Sequence, residues 1–212
     1  MRRILVFGDS NTWGYRPDNA PGEPPRRYDD AVRWTGVLGA LLGEGYCVLN
    51  EGLNGRTTVW DDPIDPYRRG RDHIVPLLET HAPFDLLIVM LGTNDLKQRF
   101  GATARDIAGG AQVLAEMALA RAWVFVGNQP RVLLICPPPL GPIEPDSSFS
   151  GGGEKSRRLA PHFRAVARES GVDWLDAGEF VASAEADGVH LTPEAHRALG
   201  EAVARKVKEM LG

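Results

Sequence analysis

A serine near the start of the chain could act as a nucleophile. Ser10 follows Gly8 and Asp9 at the end of an apolar run, Ile4 to Phe7, so it is expected at the beginning of a turn or helix. Backbone N–H groups at such a position point outward and can receive an oxyanion. A serine hydroxyl attacks a carbonyl carbon only when a base removes its proton. By itself the tripeptide is more typical of a helix N-cap, a position that serine often fills.

The base is expected close to the other end of the chain. Asp187 and His190 stand three residues apart in a segment that precedes the last helix. The carboxylate can hold one imidazole nitrogen and leave the other free for a serine hydroxyl, as in a Ser-His-Asp relay. The alternative for His190 is a helix-start histidine bonded to the backbone. The other histidines lack this spacing and are interpreted as surface or packing residues: His73, His81, His162 and His196.

Ester hydrolysis also needs hydrogen-bond donors for the developing oxyanion. Asn94 follows the apolar run Leu86 to Leu91 and offers a side-chain amide. Gly55 follows the run Tyr46 to Leu49 and can present its N–H without a side chain in the way. Each alone is more typical of a turn. Their occurrence after successive strands, together with Ser10, favours a catalytic interpretation.

Alternating strands and helices must position these residues. Continuous apolar runs predict strands that are covered on both faces, as in a parallel sheet. Five such runs occur along the chain: Ile4 to Phe7, Tyr46 to Leu49, Leu86 to Leu91, Val132 to Cys136 and Val172 to Leu175. Helical stripes fall between them, starting from Trp34, Ile107 and Leu159; the second is expected to continue to Ala122. The clearest stripe follows Thr192 as N-cap and Pro193, and it ends at Leu211.

This alternation predicts one α/β domain over residues 1–212, a three-layer α/β/α sandwich around a five-stranded parallel sheet. Functional residues then collect at the carboxyl ends of the strands. The segments 14–30, 54–72 and 137–155 are too polar or too rich in proline and glycine for regular structure, and are expected to extend from that edge as loops. Trp13, Tyr15 and Trp60 either line a substrate pocket or serve as core or interface anchors.

Charge and composition exclude several classes of protein. The net charge of −4 argues against a nucleic-acid partner. The apolar runs are too short to cross a bilayer or to form a signal-peptide core. Cys47 and Cys136 show no pairing pattern, which is typical of a reducing compartment, so a cytoplasmic location is predicted. A magnesium site built from Asp9, Asp95 and Asp187 is the alternative to the serine chemistry.

Four short blocks occur in the order of the signature blocks of a known family: Gly8-Asp9-Ser10, Gly55, Gly92-Thr93-Asn94-Asp95 and Asp187-Gly188-Val189-His190. Through them the chain resembles the SGNH, or GDSL, hydrolases along essentially its whole length. It is more closely similar to bacterial arylesterases and acyltransferases of that family, through three further segments: Gly52-Leu53, Arg56-Thr57-Thr58 and Trp34-Thr35-Gly36-Val37-Leu38.

The resemblance implies a flavodoxin-like SGNH fold with Ser10 as nucleophile, His190 as base and Asp187 as its orienting partner. It also implies three oxyanion donors: the Ser10 N–H, the Gly55 N–H and the Asn94 side chain.

Gly52 is the alternative to Gly55 as second donor. Asn11 departs from the family pattern, which has Leu there, and is expected to affect packing or the shape of the acyl pocket. The arylesterase likeness further suggests a homo-oligomer.

The predicted function is that of a serine esterase without metal or cofactor, which hydrolyses or transesterifies small aryl or short-acyl esters through a Ser10 acyl-enzyme. Carbohydrate acetyl esters and thioesters are alternative substrates for the same residues. A non-catalytic ligand-binding module on the same scaffold is the alternative from another class.

Overall fold

The computed structural model describes residues 1–20 and 22–212, and its centre is a five-stranded sheet in the order β2-β1-β3-β4-β5. All four strand pairs are parallel. The strands are β1 (Arg2–Gly8), β2 (Tyr46–Gly52), β3 (Leu86–Met90), β4 (Val132–Cys136) and β5 (Asp173–Asp176). The predicted fold class is therefore confirmed, and the predicted runs coincide with the strands to within a few residues.

The apolar runs are continuous because both faces of the sheet are covered. In β1, Leu5 and Phe7 pack into the core on one face, while Ile4 and Val6 pack into the core on the other. The same alternation occurs in β3 and β4. Two separate cores follow, one on each side of the sheet.

Helices form the two outer layers. They are α1 (Ser10–Trp13), α2 (Trp34–Leu42), α3 (Gly70–His81), α4 (Ala104–Leu119), α5 (Gly152–Ser156), α6 (Leu159–Ser170) and α7 (Pro193–Leu211). Short 3₁₀ helices cover Asn94–Leu96, Gln98–Phe100, Ala122–Val124, Val126–Asn128 and Ala177–Glu179. Buried residues of α3, α4 and α6 contribute to one core, and those of α2 and α7 to the other.

The last helix has the predicted boundaries. The Thr192 side chain accepts a hydrogen bond from the Ala195 N–H at 3.2 Å, and Pro193 occupies the first helical turn. The predicted extension of the second stripe is wrong, because α4 ends at Leu119 and Ala122 begins a separate 3₁₀ helix. This break carries Val124 and Phe125 into the core, and the Phe125 ring lies 4.8 Å from that of Phe84.

Two of the predicted loops contain helical residues. The segment 54–72 runs into α3, whose apolar signal is weak because Pro76 interrupts it and few of its side chains are buried. The segment 137–155 runs into α5, where the Ser156 hydroxyl donates to the Gly153 carbonyl and accepts from the Leu140 N–H. The segment 14–30 contains an isolated bridge between Tyr15 and Arg27, and its Pro21 lies outside the described residues.

Asp95 fastens the segment after β2 to the end of β3. Its carboxylate is completely buried and accepts hydrogen bonds from the Thr58 N–H, at 3.0 and 3.2 Å, and from the Thr58 hydroxyl. Helix α4 packs against the same threonine: a Cβ added at Gly110 would stand 2.1 Å from the Thr58 Oγ1. Gly110 is thus required for close approach of α4 to this contact.

Two adjacent glycines in α4 give a matched test of that packing. Gly110→Ala would force the helix away from Thr58, and we expect it to lower the free energy of unfolding by about 1–3 kcal/mol. A Cβ at Gly109 meets nothing within 4 Å, so Gly109→Ala should raise that free energy by about 0.5–1 kcal/mol. Urea unfolding measures both values. Equal effects of the two substitutions would contradict this account.

The buried Asp95 carboxyl should make stability depend on pH. Burial raises its pKa from 3.8 to about 6, against the opposing effect of the Thr58 hydrogen bonds. The folded chain therefore binds this proton more tightly than the unfolded chain does. We expect the contribution of Asp95 to the free energy of unfolding to rise by up to about 3 kcal/mol as the pH falls from about 7 to about 4.

Urea unfolding of the wild type and of Asp95→Asn across this range isolates the effect, because the variant cannot titrate at this position. The wild type should gain stability relative to the variant as the pH falls. A difference that stays constant with pH would be inconsistent with the raised pKa.

Candidate active site

Ser10 is the first residue of α1, directly beyond the carboxyl end of β1. The N-cap is Asp9, whose Oδ1 accepts from the Asn11 N–H at 2.9 Å. The N-cap interpretation of Ser10 is therefore wrong, and its hydroxyl is available for another partner. That hydroxyl is 2.9 Å from the Nε2 atom of His190.

The imidazole of His190 joins the serine to a carboxylate. Its Nδ1 atom is 2.5 Å from Oδ2 of Asp187. The other oxygen of Asp187 accepts the N–H groups of Val189 and His190, each at 2.9 Å. The side chain of His190 thus contacts the predicted partners on both ring nitrogens, instead of the backbone contact considered as its alternative.

Electrostatics support an ionised Asp187. Partial burial opposes ionisation, but the hydrogen bond and charge of His190, with the two backbone N–H groups, lower the pKa of Asp187 below its usual value. A carboxylate beside Nδ1 favours the tautomer that carries its proton there, which leaves Nε2 as an acceptor for the serine proton.

The exits of β1, β2 and β3 are tied together by hydrogen bonds. Leu53 donates its N–H and Arg56 its guanidinium to the carbonyl of Gly8, at 3.1 and 2.8 Å. The amide nitrogen of Asn94, which is almost fully buried, donates to the carbonyl of Arg56 at 3.0 Å. One N–H of that amide remains for another acceptor.

Arg56 is a residue whose role the sequence did not predict. Its guanidinium lies 4.1 Å from the centre of the Phe7 ring, and burial lowers its pKa to about 10. In the sequence, only its place in the segment Arg56-Thr57-Thr58, through which the chain resembles bacterial arylesterases, distinguishes this arginine from a surface one.

Gly55 and Gly52 differ in what their N–H groups do. Gly55 lies in the turn closed by the Arg56 N–H and the Leu53 carbonyl, at 3.1 Å, and its φ of +78° suits the glycine position of a type II turn. Neither its N–H nor that of Ser10 has a protein acceptor among the described residues. The Gly52 N–H instead donates to the Asn50 side chain at 3.0 Å.

The three aromatic residues occupy different surroundings. The Tyr15 ring stacks on the His190 ring, with centroids 4.2 Å apart and planes inclined by 27°. The Trp13 ring lies 6.4 Å from that of Tyr15. Trp60 packs against the core, and within residues 1–20 and 22–212 it has no aromatic contact with this pair.

Asp9, Asp95, His81 and His196 have partners other than Ser10, Asp187 and His190. Asp9 caps α1, and Asp95 holds Thr58, so these carboxylates do not converge with Asp187. In the part of the chain that the structure describes, no three candidate ligands cluster to hold a metal ion.

Two of the other histidines also have partners of their own. His196 is a buried packing residue whose Nδ1 accepts the Trp34 N–H at 3.3 Å, and His81 contacts Glu51 at 2.7 Å.

Comparison with known proteins identifies the family of the chain. The model of the GDSL-like lipase/acylhydrolase family matches residues 6–198. An aryl esterase from M. smegmatis is 43% identical, with a TM-score of 0.92 and 99% of each chain covered. A carbohydrate acetylesterase from Sinorhizobium meliloti is 40% identical, with a TM-score of 0.93, over 99% of this chain and 100% of that chain.

Among curated proteins, no sequence matches the chain significantly. None of the helices in the described residues is long and apolar enough to cross a membrane. The family match covers most of the chain, and both solved structures superimpose on nearly all of it. The chain therefore belongs to the GDSL-like lipase/acylhydrolase family and is a carboxylic ester hydrolase.

Proposed function

We propose that the protein is a serine esterase that hydrolyses aryl or short-acyl carboxylic esters through an acyl-enzyme on Ser10. The observation that carries this proposal is the unbroken series of contacts from the Ser10 hydroxyl through His190 to Asp187, at 2.9 and 2.5 Å. A binding module has no need of a base aligned with a hydroxyl, so this alignment favours catalysis over ligand binding alone.

In the first step, Nε2 of His190 takes the proton from the Ser10 hydroxyl as its oxygen attacks the ester carbonyl. A bond forms between the Ser10 oxygen and the carbonyl carbon, and the carbonyl oxygen becomes an oxyanion. Asp187 stabilises the imidazolium that forms. His190 then returns the proton to the leaving alcohol as its bond to the carbonyl carbon breaks.

Three donors serve the oxyanion in this proposal: the Ser10 N–H, the Gly55 N–H and the second N–H of the Asn94 amide. Support comes from the two backbone groups, which have no protein acceptor in the described residues, and from the bond that holds Asn94 to Arg56. Gly52 is the weaker candidate, because its N–H is already bonded to Asn50.

The second half of the reaction releases the acyl group. A water molecule, or a second alcohol, gives its proton to His190 and attacks the acyl carbonyl, and Ser10 leaves with the returned proton. Water as the attacking group completes hydrolysis, and an alcohol completes transesterification.

We assign the substrate-facing wall to Tyr15 and Trp13. The Tyr15 ring lies directly on the His190 ring, so a group bound beside the nucleophile would meet an aromatic surface. The sequence also predicts Trp60 as part of this wall. Among the described residues, Trp60 does not contact the Trp13 or Tyr15 ring, so we leave it out of the assignment. Metal-independent catalysis by one domain, a cytoplasmic location and a homo-oligomer remain predictions of the sequence.

A second candidate is hydrolysis of acetylated carbohydrates. It is favoured by the structural relative from Sinorhizobium meliloti, which is a carbohydrate acetylesterase and superimposes as well as the aryl esterase does. Both reactions use the same Ser10 acyl-enzyme and differ only in the leaving alcohol.

Replacement of the nucleophile should abolish ester hydrolysis. In Ser10→Ala no oxygen is available to form the acyl-enzyme, and we expect p-nitrophenyl acetate hydrolysis, measured with EDTA present, to fall at least about 10³-fold. The control is Ser170→Ala. Ser170 is the last residue of α6 and lies near the amino end of β5, away from the carboxyl ends of the strands, so this variant should retain full activity. A Ser10→Ala enzyme with more than a few per cent of wild-type activity would exclude the scheme.

Removal of the side-chain oxyanion donor should affect the chemical step. Asn94→Ala should reduce kcat by about 10²–10³ with little change in KM, because the amide acts on charge that develops in the transition state. Asn94→Asp has nearly the same shape as the wild type but no N–H donor at neutral pH, so its kcat should be no higher than that of Asn94→Ala. Steady-state kinetics with an activity near wild type in either variant would remove Asn94 from the oxyanion site.

The aromatic wall should distinguish the two substrate classes. Tyr15→Ala should raise KM for p-nitrophenyl acetate several-fold more than for an acetylated xylose, while Tyr15→Phe, which keeps the ring, should match the wild type. Kinetics on a panel of aryl acetates and acetylated sugars measure this. A wild-type enzyme with higher kcat/KM on the sugars than on the aryl esters would favour the second candidate.

A further inference from the structure

The residue that follows the nucleophile contacts the loop that carries the base. Asn11 is almost completely buried, and both polar atoms of its amide are used. Its Nδ2 donates to the carbonyl of Val189 at 3.2 Å, and its Oδ1 accepts the N–H of Leu191 at 3.1 Å. These two backbone groups belong to the residues immediately before and after His190.

Within residues 1–20 and 22–212, the Ser10–His190 contact is the one other hydrogen bond that connects this loop to α1. Asp187 bonds to the ring and backbone of His190 and to Val189, so it orients the ring only within its own segment. Backbone bonds join Gly188 and His190 to residues 141 and 184, beyond β4 and β5. Among the described residues, the hydrogen bonds of Asn11, the Ser10 contact and the Tyr15 stacking connect the nucleophile side to the base side.

Asn11 is itself held in place. Its backbone N–H donates to the carboxylate of Asp9 at 2.9 Å, at the N-terminus of α1. Its backbone is thus fixed at the start of α1, and its short side chain is held at both polar atoms. An amide that donates to one backbone group and accepts from another matches the peptide groups on either side of His190, which aspartate and leucine cannot do.

We propose that Asn11 is a positioning residue, which sets the height of the His190 ring over the Ser10 hydroxyl by holding the peptide groups on both sides of the histidine. This inference rests on the proposed function. It gives a polar role to the residue at which the chain departs from the family pattern, in addition to the packing expected there.

The role predicts a loss in the chemical step. Asn11→Leu keeps the volume of the side chain and leaves the Val189 carbonyl and the Leu191 N–H without their partner. A displaced base should lower kcat about tenfold to a hundredfold, with KM within about twofold of the wild type, because substrate contacts are unaffected. The rate of labelling by a fluorophosphonate probe should fall by a similar factor.

Asn19→Leu is the matched control. The Asn19 amide also holds a loop by one donated and one accepted backbone bond, both to Arg26, at 3.1 and 2.8 Å, and does not contact the His190 loop. Asn19→Leu should therefore keep the wild-type kcat per active site, counted by titration with the same probe. Titration also removes misfolded protein from the comparison, so a purely structural defect would leave kcat per active site unchanged.

The assay includes Ser10→Ala and a milder variant. Asn11→Asp preserves the acceptor for the Leu191 N–H and loses the donor to the Val189 carbonyl. This variant tests the role of Asn11 if Asn11→Leu does not fold. A reduced kcat with unchanged KM is again expected. If Ser10→Ala is inactive while the folded Asn11 variants have wild-type kcat per active site, the role of Asn11 is overturned and the proposed function stands. If Ser10→Ala is active, both fail together.

Discussion

The hydrogen bond between Ser10 and His190 is the contact on which the proposed chemistry depends, and it joins residues 180 positions apart. Neither residue lies in a long helix or strand: Ser10 begins a single helical turn, and His190 lies in a loop before α7. Their separation is set by elements that are rigid for other reasons, namely β1 between its two parallel neighbours and α7 packed on the sheet. A parallel sheet brings the ends of its strands to one edge, which is why the functional groups meet there.

Burial of polar groups accompanies this arrangement. Asp9, Arg56 and Asp95 are all almost fully inside the protein, where burial raises the pKa of both carboxyls to about 6 and lowers that of the guanidinium to about 10. Each bonds to backbone groups close to the strand exits, and these hydrogen bonds offset part of the cost of burial and determine where the neighbouring residues lie. These contacts thereby position Ser10, Gly55 and Asn94. Among the described residues, Oδ2 of Asp9 and Nε of Arg56 have no hydrogen-bond partner.

The sequence allowed the sheet, four of the helices (α2, α4, α6 and α7) and the Asp187–His190 pair to be predicted, because continuous apolar runs, helical periodicity and the spacing of the aspartate and histidine are local signals. The pairing of His190 with the distant Ser10 was predicted from the rule that functional residues collect at the carboxyl ends of parallel strands, and from the family resemblance. It did not predict α3, where Pro76 obscures a weak apolar stripe, or the start of α5, which depends on the contact of Ser156 with Leu140. The roles of Asn11 and Arg56 also depend on partners far away in the chain. Contacts of that kind appear only when the strand exits are brought together.

The most direct test of the central claim is the rate and site of labelling by a fluorophosphonate, which reacts with a serine only when a base activates it. We predict a single adduct on Ser10, located by peptide mass spectrometry, with none in Ser10→Ala and labelling at least about 10²-fold slower in His190→Ala. An adduct on another residue, or equal labelling rates in the wild type and His190→Ala, would contradict the account.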